Sequence, residues 1–188
     1  MRTMLLTAMS VLVISTSALA QAPTDPIAKS LMAAPNEALG KDATVIRWNS
    51  DYTYETLKKG TTQMVCYDLS GMPGEQRWAF SVECTSHAAN LDRVAQNRRI
   101  NAEAAGDEKK VEEMILAAAK NGTRVKAVNG SVFFNFRGPD PARANRHTTV
   151  AMPGATSQTT GLPDTRESGG AWVMFAGTSE AHIMVPGR

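Results

Sequence analysis

The sequence predicts an α+β domain in which an antiparallel sheet carries a two-helix insertion packed on one face and is pinned by one disulfide. Three observations predict it. Alternating stretches such as Trp78, Phe80, Val82 and Cys84 recur on both sides of residues 90–120, and a period of two marks strands with one apolar face. Between them, residues 90–120 lack proline, contain glycine only at Gly106 and place apolar residues at helical spacing. Cys66 and Cys84, the chain's two cysteines, sit in neighbouring strand-like runs.

Composition sets the outer bounds. A chain of 188 residues supports one domain or one domain with a small appendage. A net charge of +2 is too mild for a nucleic-acid platform, and 43% apolar with 20% charged residues excludes a disordered chain, a collagen or a coiled coil. Two cysteines are too few for a disulfide-dense miniprotein or a four-cysteine zinc site.

Residues 1–20 read as an export signal. Arg2 supplies the positive charge, Met4 to Ile14 the apolar run, and Ala18-Leu19-Ala20 the small-residue cleavage pattern. The run is about half the roughly 20 residues that span a bilayer, so it predicts a cleaved signal rather than an anchor. No span is expected after cleavage, and the expected location is periplasmic or secreted. Residues 21–42 form an N-terminal leader, in which Asp25 caps and Pro26 starts a short helix through Met32. Residues 43–188 form the single α+β domain.

Within it, Ala43 to Trp48 and Tyr52 to Leu57 carry β-branched and aromatic residues and read as strands. Thr62 to Asp68 and Trp78 to Cys84 flank the turn-rich Ser70-Gly71-Met72-Pro73-Gly74. Folded as a hairpin centred near Glu75, they place Cys66 opposite Cys84. In an oxidising compartment the pair is a disulfide, and no C-x-x-C spacing suggests redox catalysis. The helical pair follows: Asn90 as N-cap of one helix to Ala105, then Asp107 as N-cap of a second to Lys120, which ends at Asn121-Gly122 and buries Val111, Ile115, Ala118 and Ala119. Asn129-Gly130 predicts a two-residue hairpin pairing Ala127 with Val132 and Val125 with Phe134. Gly138 to Gly170 reads as a long irregular loop interrupted by one strand, Thr148 to Met152, and Ala171 to Phe175 and Ala181 to Val185 close the sheet.

The segments His147-Thr-Thr-Val-Ala-Met-Pro-Gly-Ala-Thr156, Thr160-Gly-Leu-Pro-Asp164, Gly169-Gly-Ala-Trp-Val-Met-Phe-Ala-Gly-Thr178 and Ala181-His-Ile-Met-Val-Pro186, with Cys66 and Cys84 upstream, resemble a group of small signal-peptide-bearing bacterial proteins without an assigned activity. The resemblance covers most of the chain after residue 20 and implies a bacterial exported protein. It implies no catalytic residues.

Chemistry-bearing residues are sparse. Arg137, Arg143, Arg146 and His147 bracket the proline- and glycine-rich region, and His182 lies on the last strand. Such cations either bind an acidic group or, more often, keep a proline-rich loop hydrated, and long loops held at both ends are often functional. The leading expectation is therefore a non-catalytic module that binds a ligand or an envelope protein through residues 137–164. The alternative is a small hydrolase or metal-binding protein using His147 and His182 with Asp164 or Glu180. A structural envelope protein is a third. The histidine spacing carries no metal motif, the methionines are scattered, and Ser168-Gly169-Gly170 is only a weak oxyanion-loop candidate. No cofactor is expected, and neither is a metal.

Overall fold

A computed structural model describes residues 22–75, 77–166 and 169–187. The export signal expected at residues 1–20 and the Ser168 candidate lie outside the described residues. The fold is α+β. Eight strands form a mixed sheet: β1 (Thr44–Trp48), β2 (Tyr54–Lys58), β3 (Val65–Asp68), β4 (Phe80–Thr85), β5 (Val132–Gly138), β6 (Asn145–Ala151), β7 (Trp172–Met174) and β8 (His182–Pro186). Their order is β2-β1-β3-β4-β5-β6-β8-β7. All neighbouring pairs are antiparallel except β1 with β3.

That parallel pair corrects the expectation of a purely antiparallel sheet, and its cause is local. After β2 the chain passes under the start of β1, where Thr61 and Thr62 both donate backbone N–H bonds to the Asp42 carbonyl. Gly60 makes the crossing possible, because a Cβ there would lie 2.4 Å from the Ala43 backbone. The chain emerges on the far side of β1 and must run the same way. Beyond it, β3 and β4 form the expected hairpin: Cys66 faces Cys84 across the register, and the two are joined by a disulfide.

Helices cover the two faces of this central region. Helix α1 (Pro26–Leu31) is capped by the Asp25 carboxylate on the Ile27 and Ala28 amides, and α2 (Glu37–Lys41) by Asn36 on Leu39. The segment expected as a leader thus packs on the sheet. Ala33, with Leu31, Met32 and Ala34 beside it, joins a cluster containing Cys66, Cys84, Phe80, Val82 and Phe136. On the opposite face lies α3 (Leu91–Glu103), whose Leu91, Val94 and Ala95 pack on Ile46, Trp48, Val65, Tyr67 and Phe133. Spacings of three and four put those side chains on one stripe. Gly74, at φ +84°, lets the loop before β4 touch the Arg98 carbonyl, 2.3 Å from where a Cβ would stand.

Helix α4 (Glu108–Asn121) has the expected ends, Asp107 as N-cap and left-handed Gly122 at φ 79° as C-cap. Its expected buried stripe is only half-buried, since none of its residues is fully enclosed; it lies at the periphery against α3. Asn90 does precede α3, but its side chain makes no cap bond. It turns inward, donating to the Thr85 and Ser131 hydroxyls at 2.8 and 2.9 Å and accepting from the Val128 amide at 2.9 Å.

This corrects the expected Asn129-Gly130 hairpin. The Val125 amide donates to Gln96 Oε1, the Val128 amide to Asn90 Oδ1, and the Val125 carbonyl accepts from Arg93. With Val125 and Val128 bound to side chains of Arg93, Gln96 and Asn90, residues 124–128 form no ladder, and β5 pairs with β4 and β6 instead.

Candidate functional site

Strand pairing corrects the idea of one long binding loop at 137–164. Arg137 lies on β5, Arg146 and His147 on β6, and only a short turn separates the strands. Arg143 closes that turn: it is exposed and bonded to the Asp140 carboxylate, with Arg143 Nε 2.7 Å from Asp140 Oδ2. Aspartate at the cap and proline behind it stop the chain quickly, so β6 begins at Asn145.

Alternation then parts the candidates. Phe136 pairs with Arg146, and the Arg146 guanidinium stands 4.1 Å above the Phe136 ring, on the face covered by α1. Arg137 pairs with Asn145, and His147 with Asn135, on the other face. His182 pairs with Ala151, four residues beyond His147 along β6. At about 3.3 Å per residue this sets the two histidine Cα positions about 13 Å apart along the strand, on one face of the sheet, with the charge of His182 still felt at the His147 ring.

The carboxylates considered for that pair are placed elsewhere. Asp164 is exposed on a loop. Glu180 is buried, and its Oε2 accepts from Arg93 at 2.7 Å and Arg124 at 2.9 Å. Arg124 reaches further to Gln96 and Asn97, at 2.7 and 2.6 Å. Burial pushes the Glu180 carboxyl upward, but the two guanidiniums outweigh it and hold it below its usual range. This network locks α3 to the start of β8. His182 Nδ1 is 2.8 Å from the Glu180 carbonyl, and its ring meets Phe175 edge-on. Among the described residues, no group of three or more His, Cys, Asp or Glu side chains is disposed to hold a metal ion.

Two features stand out as candidate sites. The larger is a groove of about 920 Å³ between the α1–α2 segment and the sheet. Leu31, Met32, Ala34 and Phe134 give it an apolar wall, and Arg146 and Thr148 rise from β6. The Arg146 guanidinium donates to the Met32 carbonyl at 2.8 Å and has no carboxylate partner among the described residues. His147 also borders the groove, although alternation directs its side chain to the opposite face. The second feature is that opposite face, where Tyr67 donates to Glu83 Oε1 at 2.5 Å beside Arg137 and His147. Burial raises the Glu83 carboxyl above its usual range, against the Tyr67 bond and the charge of Arg137. Burial, then the charges of Arg137 and His182, lower the His147 imidazole to about 4, so it is neutral near pH 7.

Sequence reasoning singled out Arg146 and His147, which line the groove, and did not name its other wall. Nothing local marks Leu31 or Met32 as site residues, because the contact of a six-residue helix with a strand more than a hundred residues away is a tertiary event.

No protein-family model, curated protein or solved structure matches the chain. Among the described residues, no helix is long and apolar enough to cross a membrane.

Proposed function

We propose that this chain is an exported, non-catalytic ligand-binding protein that takes an anionic amphiphile into the groove between α1–α2 and the sheet. The groove itself carries the reading: its volume falls within the usual range for small-molecule sites, with an apolar wall and a lining whose charged residues, Arg146, Lys41 and Glu37, leave one net positive charge. The apolar wall favours a hydrocarbon or aromatic body. Arg146, flat against Phe136 and unmatched by any described carboxylate, favours one negative headgroup.

Export is supported by the residue pattern of positions 1–20 and by the Cys66–Cys84 disulfide, a bond that persists in oxidising compartments. The resemblance to bacterial exported proteins supports the same reading. Intact mass of the protein from its native host checks it: the expected species starts at Gln21 and has no alkylatable thiol, and one starting at Met1 would refute it.

The binding test uses anilinonaphthalene sulfonate, an aromatic body with one sulfonate. The expected result is saturable one-site fluorescence enhancement with the folded protein. Arg146→Gln weakens it about tenfold, the scale of one charge-assisted contact. Thr148→Trp fills the groove and abolishes it, while Arg143→Gln, outside the groove, leaves it unchanged. Absence of saturable binding, or equal affinity in all three variants, overturns the groove as the site.

A further inference from the structure

On the face of the sheet away from that groove, β5 and β6 set four polar side chains in a square. Asn135 lies opposite His147, and Arg137 opposite Asn145. Partners across an antiparallel pair are about 5 Å apart and alternate residues about 7 Å apart along a strand, so all four side chains share one small patch. Among the described residues, none of the four side chains makes a hydrogen bond or an ion pair.

The surroundings differ sharply. Tyr67 is bonded to Glu83, and Ser81 donates to Glu75 at 2.8 Å. Arg98 is paired with Glu75 and Arg77 with Glu108. Arg98 and Arg77 each reach a carboxylate within ion-pair distance, whereas Arg137 reaches none among the described residues and feels the nearby Glu83 carboxyl only through space. Arg137 lies 6.0 Å from the Trp78 ring, whose face also carries Arg77 at 5.0 Å. A guanidinium has five donors in a planar fork, and withdrawing it from water without a partner is costly. The fold keeps this one in a half-buried position beside two unengaged amides.

We infer that the Asn135, Arg137, Asn145 and His147 square is a second binding site, one that takes the carboxylate of a small organic monoacid. Arg137 supplies the bidentate fork, which matches the two oxygens of a planar carboxylate. The amides of Asn135 and Asn145 donate to the same oxygens or to polar groups on the body. A phosphate dianion would bring a second charge beside the Glu83 carboxyl and is disfavoured. The neutral imidazole of His147 adds hydrogen-bonding capacity without adding charge.

The test uses benzoate as the organic probe and inorganic phosphate as the competing source of oxyanion. In ¹⁵N spectra of the mature full-length protein, benzoate is expected to shift the Arg137 Nε–H resonance saturably, and phosphate at the same concentration is not. Arg137→Lys keeps the charge and loses the fork, so benzoate affinity measured by calorimetry falls about tenfold. Asn145→Ala, at an exposed position, lowers it by a few fold, and Arg143→Gln, paired with Asp140 in the turn, leaves it unchanged. Phosphate binding in place of benzoate, no saturable shift, or full affinity in Arg137→Lys overturns the assignment. The sulfonate assay in the groove reports separately through Arg146, so loss of either site is recognised on its own.

Discussion

The inner half of the sheet and its C-terminal wing are built on opposite terms. In β3 every residue but Asp68 is buried, and in β4 every residue but Glu83. Helix α1 closes one face there and α3 the other. In the wing, β6 buries only Ala151 and β8 buries no residue. A small cluster of Ala155, Val173 and Ala181 is all the enclosed apolar core found there among the described residues. The same backbone ladder therefore serves two purposes. Strands covered on both faces hold the molecule together by burial. Strands covered thinly leave Arg146 exposed and Arg137 and His147 half-buried.

The largest expected effect contrasts the two halves directly. Ile46, 1% exposed beneath α3, loses most of a side chain and leaves a cavity when cut to Ala. About 3–4 kcal/mol of stability should go, read as a fall in the urea midpoint. Val185, exposed on β8, should cost under about 0.5 kcal/mol in the same substitution. Equal losses would mean that the wing is as tightly enclosed as the centre. The disulfide comes next. Its partners are 18 residues apart, so loop-closure entropy gives about 3 kcal/mol, and urea titration with and without reductant measures it. The destabilisation belongs to the inner half, and hydrogen exchange should show β3 and β4 amides losing more protection than those of β8.

How much of this the sequence disclosed depends on the range of each contact. Asp25 and Pro26, or Asp107 and Gly122, announce helix ends because a cap and its amides lie within a few residues. The Cys66–Cys84 register was equally legible, since a turn-rich spacer and alternation on both sides fix a hairpin. Asn129-Gly130 misled for the same reason: it is a good local turn signal, but Val125 and Val128 are claimed by Gln96 and Asn90, about thirty and forty residues earlier. The proposed binding features fall on the illegible side. Alternation alone would put Asn135 and Arg137 on one face. Only the β5–β6 register adds His147 and Asn145, and only the packing of α1 makes a groove beside Arg146.

Asn90 gives that lesson a measurable form, at a smaller scale. Its amide satisfies two hydroxyls and one backbone N–H while fully enclosed. Asn90→Ala removes no cap and little apolar area, yet it strands buried partners, so about 2 kcal/mol should be lost. Asn90→Ser or Asp, either of which an N-cap tolerates, should not restore it. Rescue by those residues would mean that the position acts as a cap after all.

The smallest effect is specific to the wing and appears only as pH changes. His147 titrates near 4 in the folded protein because burial, Arg137 and His182 all oppose its charge, against an ordinary value near 6.5. Above pH 6.5 the imidazole is neutral in both states and its full contribution is present. Between pH 6.5 and 4 the unfolded chain binds a proton that the folded one refuses, so stability falls as the solution is acidified; below 4 the loss is complete. The ring keeps some access to water, which brings the expected span down to about 1–2 kcal/mol. His147→Gln preserves a polar group without the titration, so the stability gap between variant and parent should change by that amount from pH 7.5 to pH 4. Ile46→Ala should shift the whole profile without changing its shape. Parallel curves for parent and His147→Gln would show that this imidazole is as well solvated in the folded protein as in the unfolded chain, against the burial that lowers it.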